Sequence, residues 1–557
     1  MEIGAFQAKE TCLECHRDKK LFVSAELKAL VPEKCTFGFD VIVYVGFALF
    51  VHCRDVREII GSLAERNILI SENEITFLGK KFILYLAAAH RESHTHLRDS
   101  MTKRGGYILH VDGTCEGNSP HLFSGLDGMS EIVLDNVKIP SEKKELLIPF
   151  FHQVKKQYGE PIALVHDMGK GILTAVEEVF PGIPDFICHF HFLRDIGKDL
   201  FGEEYKLILN RLKKHGIRTA LRLKLRALEK AMRGNSQIYG DLKTSIEKEQ
   251  IETLCLGQVP AASTQALIHW IFEASRMGDG YGFPFDSPHL CFFNRIKTVH
   301  SVLGKIQRIR LRDNFKDNRP LFKLWHMLNG IVNDKALVKA ASMMEEKIVV
   351  FNKLRRALQI ALPDGNHGLN DDGLQTEMTT IEKAVKQFRK QVGTETSQPH
   401  KENYLKMIVQ IDKYWDKLFA DPITVNSPSG PVTITPQRTN NILERLFRSL
   451  KRNGRKRTGT ASLNKMLKTI LADTPLVSNL KSQEYTKIIL NGCATLAERF
   501  SQIDAAQVRA QLNQAKQSTG IVSPEMKHII DLEDLPKKIS RLFDQVRNTR
   551  ANCHWRS

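Results

Sequence analysis

The sequence predicts an α/β core that is interrupted by a large all-helical insertion and preceded by a helical region. Short apolar, β-prone runs alternate with helical patterns only within residues 104–204. Residues 205–430 show helical periodicity without a credible strand, and residues 431–475 hold one more amphipathic helix. A chain of 557 residues is too long for a single compact core, so several structural units are expected.

The composition favours an intracellular protein that binds a polyanion. The chain carries 81 Lys and Arg against 63 Asp and Glu, a formal net charge of +18, which most simply suits double-stranded DNA. No membrane partner is expected, because the most apolar run, residues 41–51, falls short of the ~20 residues that span a bilayer. Ten cysteines, mostly single, and the lack of a signal-peptide pattern at residues 1–10 predict a reducing compartment such as the cytoplasm.

Residues 1–36 contain a partial zinc-knuckle pattern. Cys12 and Cys15 are spaced as half of such a site, and His16 and Cys35 are the candidates for the other half. The alternative is that these thiols are idle, because no second pair stands at the usual four-ligand spacing. Zn²⁺ is therefore expected here only if His16 and Cys35 complete the set.

Residues 37–103 have the pattern of a helical DNA-binding unit. A helix is predicted over residues 55–67 and a short turn over residues 68–70. A second helix follows Ser71, which forms a capping box with Glu74. Two helices joined by so short a turn are typical of the helix-turn-helix motif, whose second helix enters a major groove.

Lys80 and Lys81 lie on the predicted second helix and are the candidate DNA contacts of this unit. The alternative is a plain helical bundle with a solvated basic face. The positive net charge of the chain favours the DNA-binding interpretation.

Residues 104–204 form the first part of the predicted α/β core. In chain order they give strands at 107–111, 121–126 and 131–137, a helix at 141–158, a strand at 162–165, a helix at 169–180 and a strand at 185–188. Three meander strands followed by strands with crossover helices give a mixed sheet of ribonuclease-H-like order.

Asp112 and Asp167 directly follow two of these strands. Reactive groups collect at the carboxyl ends of strands in open α/β sheets, and paired carboxylates suit hard divalent metals such as Mg²⁺. The alternative is that both residues are turn formers or helix caps. A third acid far along the chain, Glu444, favours the metal interpretation.

Residues 205–430 are the predicted all-helical insertion. Basic residues are concentrated in two runs, 206–233 and 295–319. Such runs are usually solvated faces, but two long runs in a basic protein also suit a groove that follows a phosphate backbone. The candidate DNA contacts in the first run are Arg222, Lys224 and Arg226.

Residues 431–475 contain a helix that carries Glu444. This acid shares one face with Arg448 and Lys451 by the i, i+4, i+7 rule, which suits a metal ligand beside a phosphate backbone. The alternative is that Glu444 merely caps the helix. The candidate DNA contacts on this helix are Arg448, Lys451, Arg452 and Arg455. Residues 476–557 predict a further helical tail without recognisable chemistry.

Three segments resemble the catalytic motifs of DDE transposases. They read HVDGT around Asp112, VHDMGKGILTAVEEVFP around Asp167 and NNILERLFRSLKRNGRKRTG around Glu444. Cys188 and His191, spaced C-x-x-H after the second acid, resemble the signature of the Mutator-like and hAT-like members of this superfamily. The long helical gap before the last acid is similar to the insertion in those families, in the style of prokaryotic insertion sequences.

The resemblance implies that Asp112, Asp167 and Glu444 hold two Mg²⁺ or Mn²⁺ ions about 4 Å apart. One ion would activate water, and later a DNA 3′-hydroxyl, while the other stabilises the leaving oxygen. Cys188 and His191 would pack behind the acids and support them, although zinc binding by this pair stays an alternative. The partners implied are transposon-end and target DNA, bound by a homo-oligomer.

Two other functions stay open at this point. The chain could be a domesticated, catalytically silent DNA-binding protein, or a ribonuclease-H-like nuclease without strand transfer. Only transposition requires both recognition of terminal repeats and attack by a DNA 3′-hydroxyl. For any of the three, the expected location is the nucleoid of a prokaryote or the nucleus of a eukaryote.

Overall fold

The computed structural model describes residues 25–518 except 34, 234–236, 249–257, 275, 311–318, 363–375 and 395–400, together with 529 and 532–541. The described chain is mostly helical and is built around one mixed five-stranded sheet, so the predicted α/β core is present. None of the helices in the described part of the chain is long and apolar enough to cross a membrane.

The sheet has the strand order β3-β2-β1-β4-β5. Its strands are β1 (Ile108–Thr114), β2 (His121–Asp127), β3 (Val133–Ile139), β4 (Ala163–His166) and β5 (Asp185–Ile187). The first three strands pair antiparallel as a meander, and β4 and β5 extend β1 in parallel. Parallel neighbours need crossover connections, which the helices Lys144–Tyr158 and Lys170–Val179 provide.

Strand β1 is longer than predicted. It continues through Asp112 to Thr114 because these residues pair with β2, with Asp112 opposite Ser124. The expectation that the strand stops at Asp112 was therefore wrong. Antiparallel pairing with β2 satisfies the backbone N–H and C=O groups that a turn would have left exposed. Strand β4 ends at His166, directly before Asp167, as predicted.

The two faces of the sheet have different neighbours. On one face, Gly125 of β2 lies against Phe150 of the first crossover helix and Leu109 of β1. Since side chains alternate along a strand, Ile108 and Asp112 point to the opposite face. On that face Ile108 packs in a small cluster with Ile434. The helix Asn441–Thr458 also contacts β1.

The helical regions at the two ends of the described chain share the core of the sheet. The N-terminal ones are Ala25–Leu30, Phe39–Gly46, the π-helical turn Phe47–Val51, Val56–Ala64, Glu72–Glu92 and His94–Lys103. The C-terminal ones are Leu463–Thr469, the 3₁₀ segment Thr474–Lys481, Gln483–Leu490, Leu496–Ser501 and Ala505–Ser518. Tyr85 stacks on Phe500 with ring centroids 5.4 Å apart, and both belong to the cluster that includes Leu109 of β1. The predicted boundaries after residues 103 and 475 therefore do not separate independent cores.

The insertion has its own hydrophobic core, which Phe201, Phe292 and Phe351 help to form. Its helices are His189–Lys214, Ile217–Ala231, Gln237–Glu247, Val259–Glu273, Pro288–Arg310, Arg319–Val332, Lys335–Ala357, Met378–Thr394, Lys401–Lys413 and Trp415–Leu418. The first of these begins only two residues after β5, so the sheet leads directly into the insertion.

The expectation of no sheet after the first core segment was wrong. Strands β6 (Ile423–Ser427) and β7 (Gly430–Ile434) form an antiparallel hairpin at the end of the insertion. Both strands are rich in β-branched residues, and apolar residues alternate with polar ones along them, as Ile423 and Val425 do with Thr424 and Asn426. Val425 of this hairpin packs beside Ile108 and Ile434, so the hairpin lies against the sheet just before the last helix of the site.

Candidate metal centre

The three acids singled out in the sequence come from three different elements. Asp112 lies within β1, is 7% exposed and accepts a hydrogen bond from the backbone N–H of Gly113 at 2.8 Å. Asp167 follows β4 directly, and Glu444 lies in the first turn of the helix Asn441–Thr458, here called the Glu444 helix.

His191 joins two of these acids. Its Nδ1 is in ion-pair contact with Oδ1 of Asp167, and its Nε2 lies 3.4 Å from Oε1 of Glu444. The imidazole is 5% exposed and sits in the first turn of the helix that follows β5. Although 276 residues separate Asp167 from Glu444 (444 − 167 − 1), one imidazole ring bridges their carboxylates.

Asp112, Asp167 and His191 form a group that could hold a metal ion. One ligand atom from each of them lies within 4.8 Å of the other two. Oδ1 of Asp167 and Nδ1 of His191 are buried and face each other in ion-pair contact. Carboxylate oxygens and imidazole nitrogens are both common metal ligands, so a buried pair of them beside a second carboxylate suits a centre that takes a cation. The donor set is therefore two carboxylates and one imidazole.

The electrostatics of the group fit a site made to receive positive charge. Burial, followed by the nearby charges of Asp167 and Glu444, raises the pKa of Asp112 well above its ordinary value. Burial by itself would lower the pKa of His191, but Cys188 and Asp167 beside the ring raise it well above its ordinary value. A carboxylate that is costly to ionise in an empty site gains most from a bound cation.

Asn440 fixes the start of the Glu444 helix to the sheet. Its Nδ2 donates to the carbonyl oxygen of Val111 at 2.8 Å, and its Oδ1 lies 2.9 Å from Nδ1 of His110. Burial lowers the pKa of His110 to about 4, so this imidazole is neutral and its Nδ1–H donates to the amide. Asn440 thus acts as a buried clamp between the Glu444 helix and β1.

Cys188 supports the group without belonging to it. Its Sγ accepts a hydrogen bond from the backbone N–H of Asn440 at 3.3 Å, and the thiol is buried beside His191. The thiol therefore fixes the Glu444 helix to the end of β5. The supporting role predicted for Cys188 fits this placement, whereas the ring of His191 lies inside the site itself.

Arg438 connects the insertion to the site and was missed in the sequence. Its guanidinium donates to the carbonyl oxygen of Leu358 at 2.8 Å, and its own carbonyl accepts from the N–H of His189 at 2.9 Å. Burial lowers the pKa of this arginine to about 10. No sequence signal marked it, because its partners lie on segments distant in the chain.

The cations of the Glu444 helix lie on the surface, as a DNA-contacting face requires. The four cations predicted to contact DNA, Arg448, Lys451, Arg452 and Arg455, are all exposed. Two of them, Arg448 and Arg452, line a cleft of about 890 Å³ that Phe50 and Leu450 also line. Lys451 lies 3.9 Å from Glu116, which also accepts a hydrogen bond from the N–H of Asn464.

Lys81 is not a surface cation, so its prediction as a DNA contact was wrong. It is 6% exposed, and its Nζ donates to Sγ of Cys35 at 3.0 Å. Its helix, Glu72–Glu92, is buried on every side over residues 81–90, because it packs between the N-terminal helices and the C-terminal segments. Lys80 is half-buried and lies near Lys138. Burial of Lys138, together with the charge of Lys80, lowers the pKa of Lys138 to about 8.

The exposed first turn of the same helix is acidic rather than basic. Ser71 caps it by accepting from the N–H of Glu74 at 3.2 Å, which is one of the two hydrogen bonds of the predicted capping box. Glu72 lies in this turn and pairs with Arg57 at 3.7 Å. DNA binding by residues 37–103 therefore stays a prediction. The buried and acidic surfaces of this helix give it no further support.

The remaining predicted residues divide into two groups. In the insertion, Arg222 and Arg226 are exposed and Lys224 is partly buried, and the guanidinium of Arg222 lies 5.8 Å from the centre of the Phe272 ring. Of the predicted zinc ligands, Cys12, Cys15 and His16 lie outside the described residues. Cys35 contacts Lys81 as described above.

Comparison with known proteins leaves the site to be interpreted on its own geometry. No protein-family model matches the sequence, and no curated protein matches it either.

Proposed function

We propose that this protein is a metal-dependent enzyme that cleaves and joins DNA strands at the ends of a mobile element, as a DDE transposase does. The observation that carries the proposal is the bridging of Asp167 and Glu444 by His191, with Asp112 beside them in the same pocket. Three unrelated turn or capping acids would have no physical reason to converge across so long an insertion.

The sheet supports a ribonuclease-H-like assignment of the core. A three-stranded antiparallel meander followed by parallel strands with crossover helices is the arrangement that the sequence led us to expect, and the strands lie in the order β3-β2-β1-β4-β5. In it, the central strand β1 and its parallel neighbour β4 bring Asp112 and Asp167 together. The last helix then carries Glu444 across the face of β1.

The residues around the acids suit a phosphodiester substrate. Asp112 and Asp167 would hold divalent cations, with Glu444 completing the carboxylates of the site. Bound Mg²⁺ or Mn²⁺ supplies activation of the attacking oxygen and stabilisation of the leaving oxygen. In the reaction, a water oxygen or a DNA 3′-oxygen forms a bond to phosphorus while the bond from phosphorus to the 3′-oxygen of the cut strand breaks.

The surface next to the acids supplies positive charge for the rest of the strand. Arg448 and Lys451 lie one and two turns along the helix from Glu444, and both are exposed. Cations at this spacing would bind phosphates on either side of the scissile one and so place it against the acids. Arg222 and Arg226 of the insertion would add contacts to flanking DNA.

A strand-transfer assay separates the proposed function from its two alternatives. The substrate is DNA that carries the sequences flanking the gene for this chain, and a supercoiled plasmid serves as the target. Joined products with a new bond at a 3′-end support transposition. Cleavage without joining would indicate a nuclease, and binding without cleavage would indicate a silent DNA-binding protein.

A further inference from the structure

The imidazole of His191 has different surroundings at its two nitrogens. Nδ1 points to the carboxylate of Asp167, and one ring nitrogen lies within 4.8 Å of a ligand atom of each aspartate. Nε2 lies 3.4 Å from Oε1 of Glu444. The ring therefore lies between the carboxylates of Asp167 and Glu444.

This arrangement matches a recurring feature of metal centres. A histidine that binds a metal through one nitrogen almost always donates its other N–H to a carboxylate or carbonyl, which fixes its tautomer and orientation. Here Nε2 faces the carboxylate of Glu444, while the buried Nδ1 faces the carboxylate of Asp167. In the tautomer that carries its proton on Nε2, the lone pair of Nδ1 is therefore directed at the aspartate side of the group.

We propose that the first divalent ion to bind is ligated by Asp112, Asp167 and Nδ1 of His191, and that Glu444 acts on it through the histidine. In this arrangement Glu444 accepts the Nε2–H of His191 and orients the ring, as a positioning residue for that ion. The inference rests on the proposed function of this pocket as a metal centre, and it changes the ligand set from three carboxylates to two carboxylates and a nitrogen.

The backbone around His191 is rigid enough to hold a ligand. Phe190 stacks on Phe285 of the insertion with ring centroids 4.7 Å apart, and Phe192 is completely buried. The preceding thiol, Cys188, accepts from the backbone of Asn440. Phe190 and Phe192, on either side of His191, thus pack in the core of the insertion, while Cys188 is bonded to the start of the Glu444 helix, so the ring cannot easily turn away from the aspartates.

A nitrogen ligand has a measurable consequence for metal choice. Imidazole suits transition metals, whereas Mg²⁺ prefers an all-oxygen set with near-octahedral geometry. We therefore expect Mn²⁺ to bind at least about tenfold more tightly than Mg²⁺ at the first site. Replacement of Glu444 by Gln should weaken Mn²⁺ binding by about 10–100-fold, the usual effect of removing an outer partner.

The test is electron spin echo spectroscopy of the full-length protein loaded with one equivalent of Mn²⁺. A coordinated imidazole produces modulation from its ¹⁴N nucleus, and labelling all histidines with ¹⁵N should change the modulation without any mutation. We expect the signal in the wild type, in Glu444→Gln and in the control His152→Gln, whose side chain is exposed. We expect its loss in His191→Gln, with circular dichroism as the check on folding.

The other outcomes are equally informative. Bound Mn²⁺ without nitrogen modulation in the wild type would overturn this inference while leaving a three-carboxylate metal centre, and so the proposed function, intact. Modulation that persists in a folded His191→Gln variant would overturn it in the same way. A wild-type protein that binds no Mn²⁺ at millimolar concentration would contradict both the inference and the proposed function.

Discussion

Nδ2 of Asn440 donates to the carbonyl oxygen of Val111, the residue directly before Asp112, at 2.8 Å. This one hydrogen bond joins the start of the helix that carries Glu444 to the strand that carries Asp112. Because Asn440 also pairs with His110 and Cys188, it fixes the helix to two strands of the sheet at once. The geometry of the candidate metal centre therefore depends on a residue that does not belong to it.

Replacing Asn440 by Ala should lower both stability and metal affinity. The change leaves Nδ1–H of His110 buried without its partner, which costs about 1–3 kcal/mol of unfolding free energy. Because Glu444 would also lose its fixed position, Mn²⁺ binding should weaken. Thermal unfolding and Mn²⁺ titration measure the two effects. The control is Asn426→Ala, an exposed strand residue of the hairpin, and equal behaviour of the two variants would contradict the clamp.

The cations of the Glu444 helix should dominate the salt dependence of DNA binding. If Arg448, Lys451, Arg452 and Arg455 each contact a phosphate, replacing all four by Ala removes up to four contacts. The slope of log Kd against log salt should then fall by about 3–4, at ~0.9 per phosphate. The control removes the same charge from exposed Lys335, Lys339, Lys383 and Lys487. An equal loss of slope in the control would show that net charge, and not this face, binds the DNA.

The first basic run of the insertion should make a smaller, separate contribution. Replacing Arg222, Lys224 and Arg226 together by Ala should lower the same slope by up to about 3 while leaving Mn²⁺ binding unchanged. Arg222 lies over Phe272, so the variant also loses a weak cation–π contact, and thermal unfolding should confirm that it still folds. A salt slope equal to that of the wild type would remove this run from the DNA interface.

His90 should make the protein less stable as the pH falls from about 6.5 to 4. Burial lowers the pKa of His90 to about 4, and its neutral ring accepts from Tyr485 and donates to the carbonyl oxygen of Leu134. Between these pH values the unfolded chain binds a proton that the folded protein does not. Stability from His90 is therefore complete above pH 6.5 and decreases as the pH falls, by up to about 1.4 kcal/mol per pH unit.

The variant His90→Gln should have a lower melting temperature than the wild type at pH 7. On acidification, its melting temperature should then fall by less than that of the wild type. The exposed His152→Gln is the matched control and should follow the wild type at every pH. Parallel melting curves for His90→Gln and wild type between pH 6.5 and 4.5 would show that another group is responsible for the acid sensitivity.

The strands and the two aspartates could be predicted because their signals are local. The apolar runs ending near Asp112 and Asp167 are visible within a few residues of each acid, and the helical stripe around Glu444 within one helix. The missed contacts are not local. Asn440 bonds to Val111, 329 residues away, so only the tertiary structure reveals the clamp.

The wrong predictions have similar physical causes. Lys81 was predicted to contact DNA, yet its helix is enclosed on all sides over residues 81–90. How a helix is covered depends on segments that its own sequence pattern does not describe. The hairpin of β6 and β7 was missed because two five-residue strands adjoin a long helical stretch. His191 was expected behind the acids, but the turn after β5 places it between Asp167 and Glu444.

The most direct test of the central claim is single-turnover cleavage of DNA carrying the sequences that flank the gene, with Mn²⁺ present. We predict that the wild type cuts this DNA and that Asp112→Asn, Asp167→Asn and Glu444→Gln each reduce the rate by at least about 100-fold while binding the DNA normally. The exposed Glu377→Gln, in the insertion, is the carboxylate control and should cleave like the wild type. Cleavage at the wild-type rate by any of the three site variants would contradict the account, as would a wild type that binds the DNA ends and Mn²⁺ without cutting.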